Sequence, residues 1–332
     1  MPTRRSVLRV SISLTHFTRT QGSPQIRTPM PLVSMSKLLA DAKRDGYAVC
    51  YCEAWSFESF QAVVEAAEEE RSPIIAGFNG GFLMHPGRKR PENLSFYAGL
   101  GLSLAKAGVP AALLFNESAS LAQIEEAIDL GFNAVMVENE GFELDDYRRL
   151  VKRVVAKAHR SGVSVEAQVG HLADASSNGS AEPTTPEGAR TFVGETEVDA
   201  LGVSVGNVHI LTEGNSPLDL QALAEIGKAV PVPLVLHGGT GIPLADASRC
   251  IGLGVAKVNF GTGLKQAYLA ALQEKLARYR EPMSPHPFIG MGGEDDILVA
   301  GREAVKGKCQ ELLRAWGSAG KAEMGSQTTT KR

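Results

Sequence analysis

Cysteine, tryptophan, long apolar runs and an excess of either charge are all scarce in this 332-residue chain. It has 4 Cys, 2 Trp and a net charge of -3. So few cysteines do not form a disulfide framework, which predicts a reducing, cytoplasmic compartment. No apolar run approaches the roughly 20 residues that cross a membrane. Without a basic face there is no reason to expect nucleic acid, so neither a membrane nor a nucleic acid is a predicted partner, whereas small anions remain candidates.

Acidic residues are absent from the first 29 positions, which hold five arginines and several Ser and Thr. Transit peptides share that composition, but Met30 and Met35 follow closely, so we interpret 1–29 as a disordered leader or a misassigned start and keep targeting as the alternative. The small, polar stretch 323–332 is predicted to be a disordered tail. Residues 30–322 are then one domain.

Short apolar runs alternate with amphipathic stretches through this domain. The predicted strands are 47–51, 73–77, 111–115, 134–138, 163–169, 200–205, 233–237 and 256–260. The predicted helices that follow them are 59–71, 93–107, 119–130, 144–161, 185–195, 218–229, 244–253 and 262–278. Such alternation indicates right-handed crossovers and a parallel sheet, and eight units in about 250 residues favour an α/β fold of the (β/α)8 TIM-barrel type. We predict an extra N-terminal helix at 36–46 and a C-terminal helical extension at 295–315.

Two glycine-rich corners follow the predicted seventh and eighth strands. In "LHGGTGI" (236–242), Gly238 and Gly239 let backbone N–H groups approach an anion, and Thr240 adds a hydroxyl. In "NFGTGL" (259–264), Gly261 and Thr262 open a helix whose N-terminus favours negative charge. Phosphate sites of this fold commonly lie there. Many strand–helix turns need glycine only for backbone shape, but two at adjacent corners favour a phosphorylated substrate.

Two histidines, His209 and His237, close the predicted sixth and seventh strands. A barrel brings their rings to neighbouring positions above its rim, and paired neutral imidazoles suit a divalent metal such as zinc. The alternative is a pair of hydrogen-bonding histidines. The sequence alone leaves the two interpretations open.

The stretch "VPLVLHGGTGIPLADASRCIGLGVAKVNFGTGL" (232–264) resembles the class II, metal-dependent ketose-bisphosphate aldolases, which cleave fructose- or tagatose-bisphosphate. Weaker resemblance extends through 30–49, 124–138, 159–170 and 301–322, and so spans nearly the whole chain after the leader. The two glycine-rich corners are its specific part.

This resemblance implies a lyase in which His209 and His237 bind zinc, with Mn2+ or Fe2+ as other metals. It implies that Gly238, Thr240, Asn259 and Thr262 hold the substrate phosphate and the neighbouring hydroxyketone, while the metal polarises the ketone. It also implies a homo-oligomer, a dimer or a tetramer.

The third strand departs from the family pattern. The family ends it with His-x-Asp-His, where Asp relays a proton and the last His binds zinc. Asn116 and Glu117 stand at those two positions here. An amide is no proton-transfer base, so Asn116 cannot perform the Asp role, whereas Glu117 can still bind a metal. Glu140 is our first candidate for proton transfer and Glu53 the second, although both are also plausible solvated carboxylates.

Further departures are Gln168 in place of a metal-binding Glu, Ile210 after the zinc histidine, and "ENEG" at 138–141. They predict an aldol reaction other than standard fructose-bisphosphate chemistry. Two alternatives stay open: another metal-dependent enolate-forming or hydrolytic reaction on a sugar phosphate, and a barrel that binds a sugar phosphate without catalysis. The long loop 171–188 is a candidate lid. In the plainest interpretation of "FNES" (115–118), Ser118 caps the next helix and Asn116 lies in a turn.

Overall fold

Eight parallel strands form a closed barrel. The computed structural model describes residues 32–175 and 181–322. The barrel strands are β1 (Val49–Glu53), β2 (Ile74–Asn79), β3 (Ala111–Ser118), β4 (Ala134–Val137), β5 (Ser164–Val169), β6 (Ala200–Val203), β7 (Leu234–Leu236) and β8 (Val255–Phe260). Each strand pairs with its neighbours in chain order, and β1 closes the ring by pairing with β8. This confirms the predicted TIM barrel. The leader, the tail and part of the candidate lid lie outside the described residues.

Helices surround the barrel at nearly all the predicted positions. They are α1 (Met35–Asp45), α2 (Phe57–Glu69), α3 (Gly80–Leu83), α4 (Leu94–Leu102), α5 (Leu121–Asp129), α6 (Leu144–Arg160), α7 (Pro186–Thr196), α8 (Leu220–Ala229), α9 (Ala247–Gly252), α10 (Thr262–Leu276) and α11 (Ile297–Ala315). Local signals set their limits: Ser34 caps α1 and Gly46, in a left-handed conformation, ends it. No helix within the described ranges is long and apolar enough to cross a membrane.

The barrel interior is closed at the amino-terminal ends of the strands by α1. Met35, Leu38, Leu39 and Ala42 of this helix are buried in one cluster with the inward-facing apolar side chains of the strands. The opposite, carboxyl-terminal end is therefore left as the place for a ligand, as in other barrels of this kind.

Two strand ends differ from the prediction, and both differences bear on the site. β3 continues to Ser118, so "FNES" is the end of a strand rather than a turn, and α5 is capped by Ser120 instead of Ser118. β6 ends at Val203, so His209 does not close it. His209 instead lies in a two-residue strand, Val208–His209, which pairs with Ala173–Asp174.

Candidate active site and metal centre

A pocket of about 520 Å³ opens at the carboxyl-terminal end of the barrel. That volume suits a small phosphorylated ligand. Its wall includes most of the residues that the sequence singled out: Glu53, Asn116, Glu117, Glu140, His209, Gly238, Thr240, Asn259, Gly261 and Thr262. His237 lies beneath this wall with no exposed surface. Gly239 is buried, and a Cβ there would lie 2.6 Å from the ring of Phe260, so it packs against β8 rather than facing the pocket.

Glu117 reaches the pocket because β3 is irregular at that point. The pairing of β3 with β4 shifts register between Phe115 and Ser118, and Glu117 has a φ of 52°. A bulge re-aims a side chain, and a non-glycine residue in the left-handed region costs about 1–3 kcal/mol. Asn79 Nδ2 holds the re-aimed carboxylate by donating to Oε2 at 2.5 Å.

Asn207 brings His209 beside His237. Its Nδ2 donates to the backbone carbonyls of His237, at 3.0 Å, and of Val203, at 3.2 Å. The loop after β6 is thus tied to β7, and the two imidazole rings lie 5.6 Å apart. Ile210, directly after His209, has a φ of 52°, so backbone strain occurs here as well.

Glu117, His209 and His237 each place one ligand atom within 4.8 Å of the other two. Glu117 Oε1 and His237 Nδ1 are only 3.1 Å apart. Two imidazoles and one carboxylate form a known catalytic zinc donor set, also used for iron and manganese. A metal that binds at Nδ1 would displace any proton carried there. The residues present therefore fit a divalent metal.

Two of these three side chains have charge states that suit metal binding, and the third, His237, must lose a proton to become a ligand. Burial opposes ionisation of Glu117, but the hydrogen bond from His237 and the neighbouring imidazoles hold the pKa of Glu117 below its usual value. Burial lowers the pKa of His209, which favours its neutral form. Burial also disfavours the charged form of His237, yet its contacts with Glu117 and Glu166 raise its pKa to about 9. In the metal-free chain, a proton at His237 therefore balances the carboxylates.

A buried ionic network supports His237 from below. His237 Nε2 lies 2.8 Å from Glu166 Oε1, and Lys257 Nζ lies 2.8 Å from Glu166 Oε2. All three side chains have no exposed surface. Lys257 Nζ also donates to Asn259 Oδ1 at 2.5 Å, so the amide of Asn259 is fixed against the His237 ring. The sequence analysis missed Glu166 and Lys257, because each lies within a strand, before the carboxyl-terminal end where site residues of a barrel are expected.

Asn116 has a buried acceptor without a partner. Its side chain is 1% exposed, and within the described residues nothing donates to Oδ1. Buried acceptors are rarely left unpaired, so this atom calls for a hydroxyl from a ligand or a water molecule. It can accept that hydrogen bond but cannot take the proton.

The two glycine-rich corners meet as predicted. Gly238 has a φ of 68°, and a Cβ there would lie 2.2 Å from the Val208 carbonyl, so only glycine fits. The backbone N–H of Gly263 donates to Thr240 Oγ1 at 3.0 Å, which joins the corner after β7 to the first turn of α10. Among the described residues, no side chain caps that helix N-terminus, which faces the pocket through Gly261 and Thr262. Backbone N–H groups and hydroxyls at a helix N-terminus suit an anion, and we call this group of residues the anion-binding corner.

Three carboxylates of the pocket are candidates for proton transfer. Glu138 is half-buried at the end of β4, and its Oε1 accepts from the backbone N–H groups of Asn139 and Glu140. Burial and the negative charge of Glu117 raise its pKa to about 7. Glu140 is exposed at the rim. Glu53 is buried and forms an ion pair with Lys265.

This arrangement is typical of barrel enzymes that hold a metal at the carboxyl-terminal ends of their strands. Residues 33–321 match the family model described as "Fructose-bisphosphate aldolase class-II". The chain therefore belongs to the class II fructose-bisphosphate aldolases, which are metal-dependent aldehyde-lyases acting on phosphorylated sugars.

Individual relatives agree with this family. The chain is 34% identical over 291 residues to a fructose-bisphosphate aldolase of Staphylococcus aureus, covering 85% of this chain and 98% of that protein. It is also 34% identical to a probable fructose-bisphosphate aldolase of Bacillus subtilis over 296 residues, 88% of this chain and all of that one. The crystal structure of the YdjI aldolase from Escherichia coli K12 superposes with a TM-score of 0.73 at 31% identity, covering 88% of this chain and 100% of that chain.

Proposed function

We propose that this protein catalyses metal-dependent aldol cleavage and condensation of a phosphorylated ketose or related hydroxyketone, and that its substrate is not fructose 1,6-bisphosphate. The observation that carries the proposal is the Glu117–His209–His237 donor set beside the anion-binding corner in one pocket. The altered third-strand motif supports the change of substrate or proton relay. Cytoplasmic location and a homo-oligomer, dimer or tetramer, remain expectations from the family.

Different site residues have different roles in this reaction. A divalent metal held by the donor set, most simply Zn2+ with Mn2+ or Fe2+ as alternatives, would polarise the substrate carbonyl. Thr240, Thr262 and the N-terminus of α10 bind the phosphate and so fix the ketone half. Asn116 accepts a hydrogen bond from a substrate hydroxyl. Orienting groups of this kind make the reaction effectively intramolecular.

In this proposal, Glu138 is the residue that transfers the proton. Cleavage removes the proton of the hydroxyl next to the bond that breaks, and the electron pair of that bond stays with the ketone half, which then takes up a proton. Glu138 is half-buried directly after β4, whereas Glu140 is exposed at the rim. A pKa near 7 suits a group that both takes and returns a proton. Glu140, the first candidate from the sequence, becomes the second candidate in this proposal.

Two measurements on the purified chain test this function. Elemental analysis after exposure to Zn2+, Mn2+ or Fe2+ should give about one metal per chain, lost in His209→Ala. The metal-loaded protein should exchange a carbon-bound proton of dihydroxyacetone phosphate with D2O, as followed by NMR. No metal uptake and no exchange would contradict the enzyme and favour the alternative, a barrel that binds sugar phosphates without catalysis.

Variants of the two carboxylates test the proton relay. Glu138→Gln should lower the condensation rate of dihydroxyacetone phosphate with aldehydes about 100-fold or more, with metal content unchanged. Glu143→Gln, at an exposed residue that does not line the pocket, is the matched control. A loss in Glu140→Gln with full activity in Glu138→Gln would give the relay to Glu140 instead.

A further inference from the structure

Charges around the pocket are segregated in a way that bears on substrate choice. The anion-binding corner lies after β7 and at the start of α10. The pocket lining also includes five carboxylates, which belong to Glu53, Glu117, Glu138, Glu140 and Asp174. Lys265 is the single Lys or Arg that lines it within the described ranges. A bisphosphate needs cationic or N–H groups for both of its ends.

Lys265 is already engaged, and it lies on the side of the existing corner. Its ammonium forms an ion pair with Glu53 and lies 4.2 Å from the centroid of the Phe82 ring. Gly261 leaves room for this pair, since a Cβ there would be 2.6 Å from Glu53 Oε2. Glu53 is 7% exposed, so its charge is compensated mainly by Lys265. Because the Lys265 charge is balanced by Glu53, the pair attracts a second phosphate only weakly.

The opposite side of the pocket is acidic. Glu138 and Glu140 follow β4 and Asp174 follows β5, whereas Glu117, at the end of β3, belongs to the metal donor set. A second phosphate placed here would meet like charges, which oppose binding and discriminate against such a ligand. Carboxylates accept hydrogen bonds from hydroxyl groups without that penalty.

Two buried side chains of the pocket have polar atoms that a ligand hydroxyl could pair with. Tyr51 Oη and Asn116 Oδ1 have no hydrogen-bond partner within the described residues, and each side chain is 1% exposed. Both residues line the pocket. A hydroxyl group can donate to either oxygen, and the Tyr51 hydroxyl can also donate. A phosphate oxygen cannot donate to Asn116 Oδ1 when ionised.

We infer that the substrate is a ketose with a single phosphate, bound at the corner, and that the half released as aldehyde is an uncharged, polyhydroxylated fragment. This inference rests on the proposed aldol function. It assigns Glu140 and Asp174, through their charge, to discrimination against a phosphorylated aldehyde.

Matched aldehydes test the inference. Metal-loaded protein is given dihydroxyacetone phosphate with either D-glyceraldehyde or D-glyceraldehyde 3-phosphate, and kcat/KM is measured for each aldehyde. We expect at least a 10-fold preference for the unphosphorylated aldehyde. Equal rates or a preference for the phosphorylated aldehyde, with proton exchange of dihydroxyacetone phosphate intact, would overturn the inference and leave the proposed function standing. Absence of that exchange would instead be a failure of the proposed function.

Charge-reversal variants test the assigned residues. Glu140→Lys should shift the preference about 10-fold toward the phosphorylated aldehyde, and Asp174→Lys, on a different loop, should shift it in the same direction. Glu143→Lys makes the same charge change on an exposed side chain outside the pocket and should leave the ratio unchanged. An unchanged ratio in both pocket variants would contradict the assignment. A shift in Glu143→Lys as large as theirs would show only a long-range effect of net charge.

Discussion

Asn116 stands where the resemblance to the family implies a relay Asp, and its replacement gives a direct prediction. Asn116→Asp puts an ionisable group at this position. We expect the condensation rate to rise about 10-fold or more, because a carboxylate takes up a proton that an amide cannot. Asn116→Ala, which removes the acceptor without adding a base, should lower the rate. No gain in the Asp variant would mean that more than the relay at this position has changed.

Single residues of the site were predicted unevenly, for physical reasons. The barrel pattern placed Glu117 on the rim, and the structure brings it to His209 and His237. The left-handed backbone at Glu117 and Ile210 carries no sequence signal, since neither position has the glycine that such a φ favours. The choice between Glu138 and Glu140 as the proton-transfer residue depends on where β4 ends and on which of the two side chains is buried. The sequence alone gives neither.

At the scale of elements, the next prediction concerns Glu166 of β5 and Lys257 of β8, which form the buried ionic network beneath His237. Glu166 receives the Nε2 side of the His237 ring and so leaves Nδ1 facing Glu117. Losing such an outer partner typically lowers metal affinity by about 10–100-fold. We therefore expect Glu166→Gln to bind zinc at least about 10-fold more weakly than the parent chain, measured by competition with a chelator.

A second variant separates this positioning from plain stability. Glu166→Gln leaves Lys257 buried and uncompensated, which costs about 3–5 kcal/mol. In the double variant Glu166→Gln/Lys257→Met that charge is gone, so stability should largely return while zinc affinity stays low. Recovery of affinity together with stability would show that Glu166 acts only through folding.

Regular elements were readable from sequence because apolar runs and amphipathic periods repeat along the chain, and the barrel confirms them. Elements that depend on tertiary contacts could not be predicted from the sequence. The pairing of Val208–His209 with Ala173–Asp174 is too short to leave a periodic pattern, and it depends on Asn207 tying the loop to β7. His209 was thus correctly grouped with His237 but assigned to the end of the wrong element.

At the scale of the whole molecule, the two ends of the barrel have different functions. α1 closes the amino-terminal end: Val33, just before it, donates to the first residue of β3, and Ser36 Oγ is 2.6 Å from Ser164 Oγ at the start of β5. The candidate active site occupies the other end. Substitutions under α1 should therefore change stability without changing the chemistry of the folded protein.

Leu39 tests that separation, since it is fully buried between α1 and the barrel interior. Leu39→Ala removes apolar contacts and leaves a cavity, so the free energy of unfolding should fall by about 3 kcal/mol, measured by urea denaturation at 25 °C. Lys37→Ala, on the exposed face of the same helix, should change it by less than about 1 kcal/mol. Metal content and proton exchange per folded chain should be unchanged in both variants. Reduced exchange in folded Leu39→Ala would mean that packing at the closed end is transmitted through the strands to Glu117 and His237, and that the two ends are not independent.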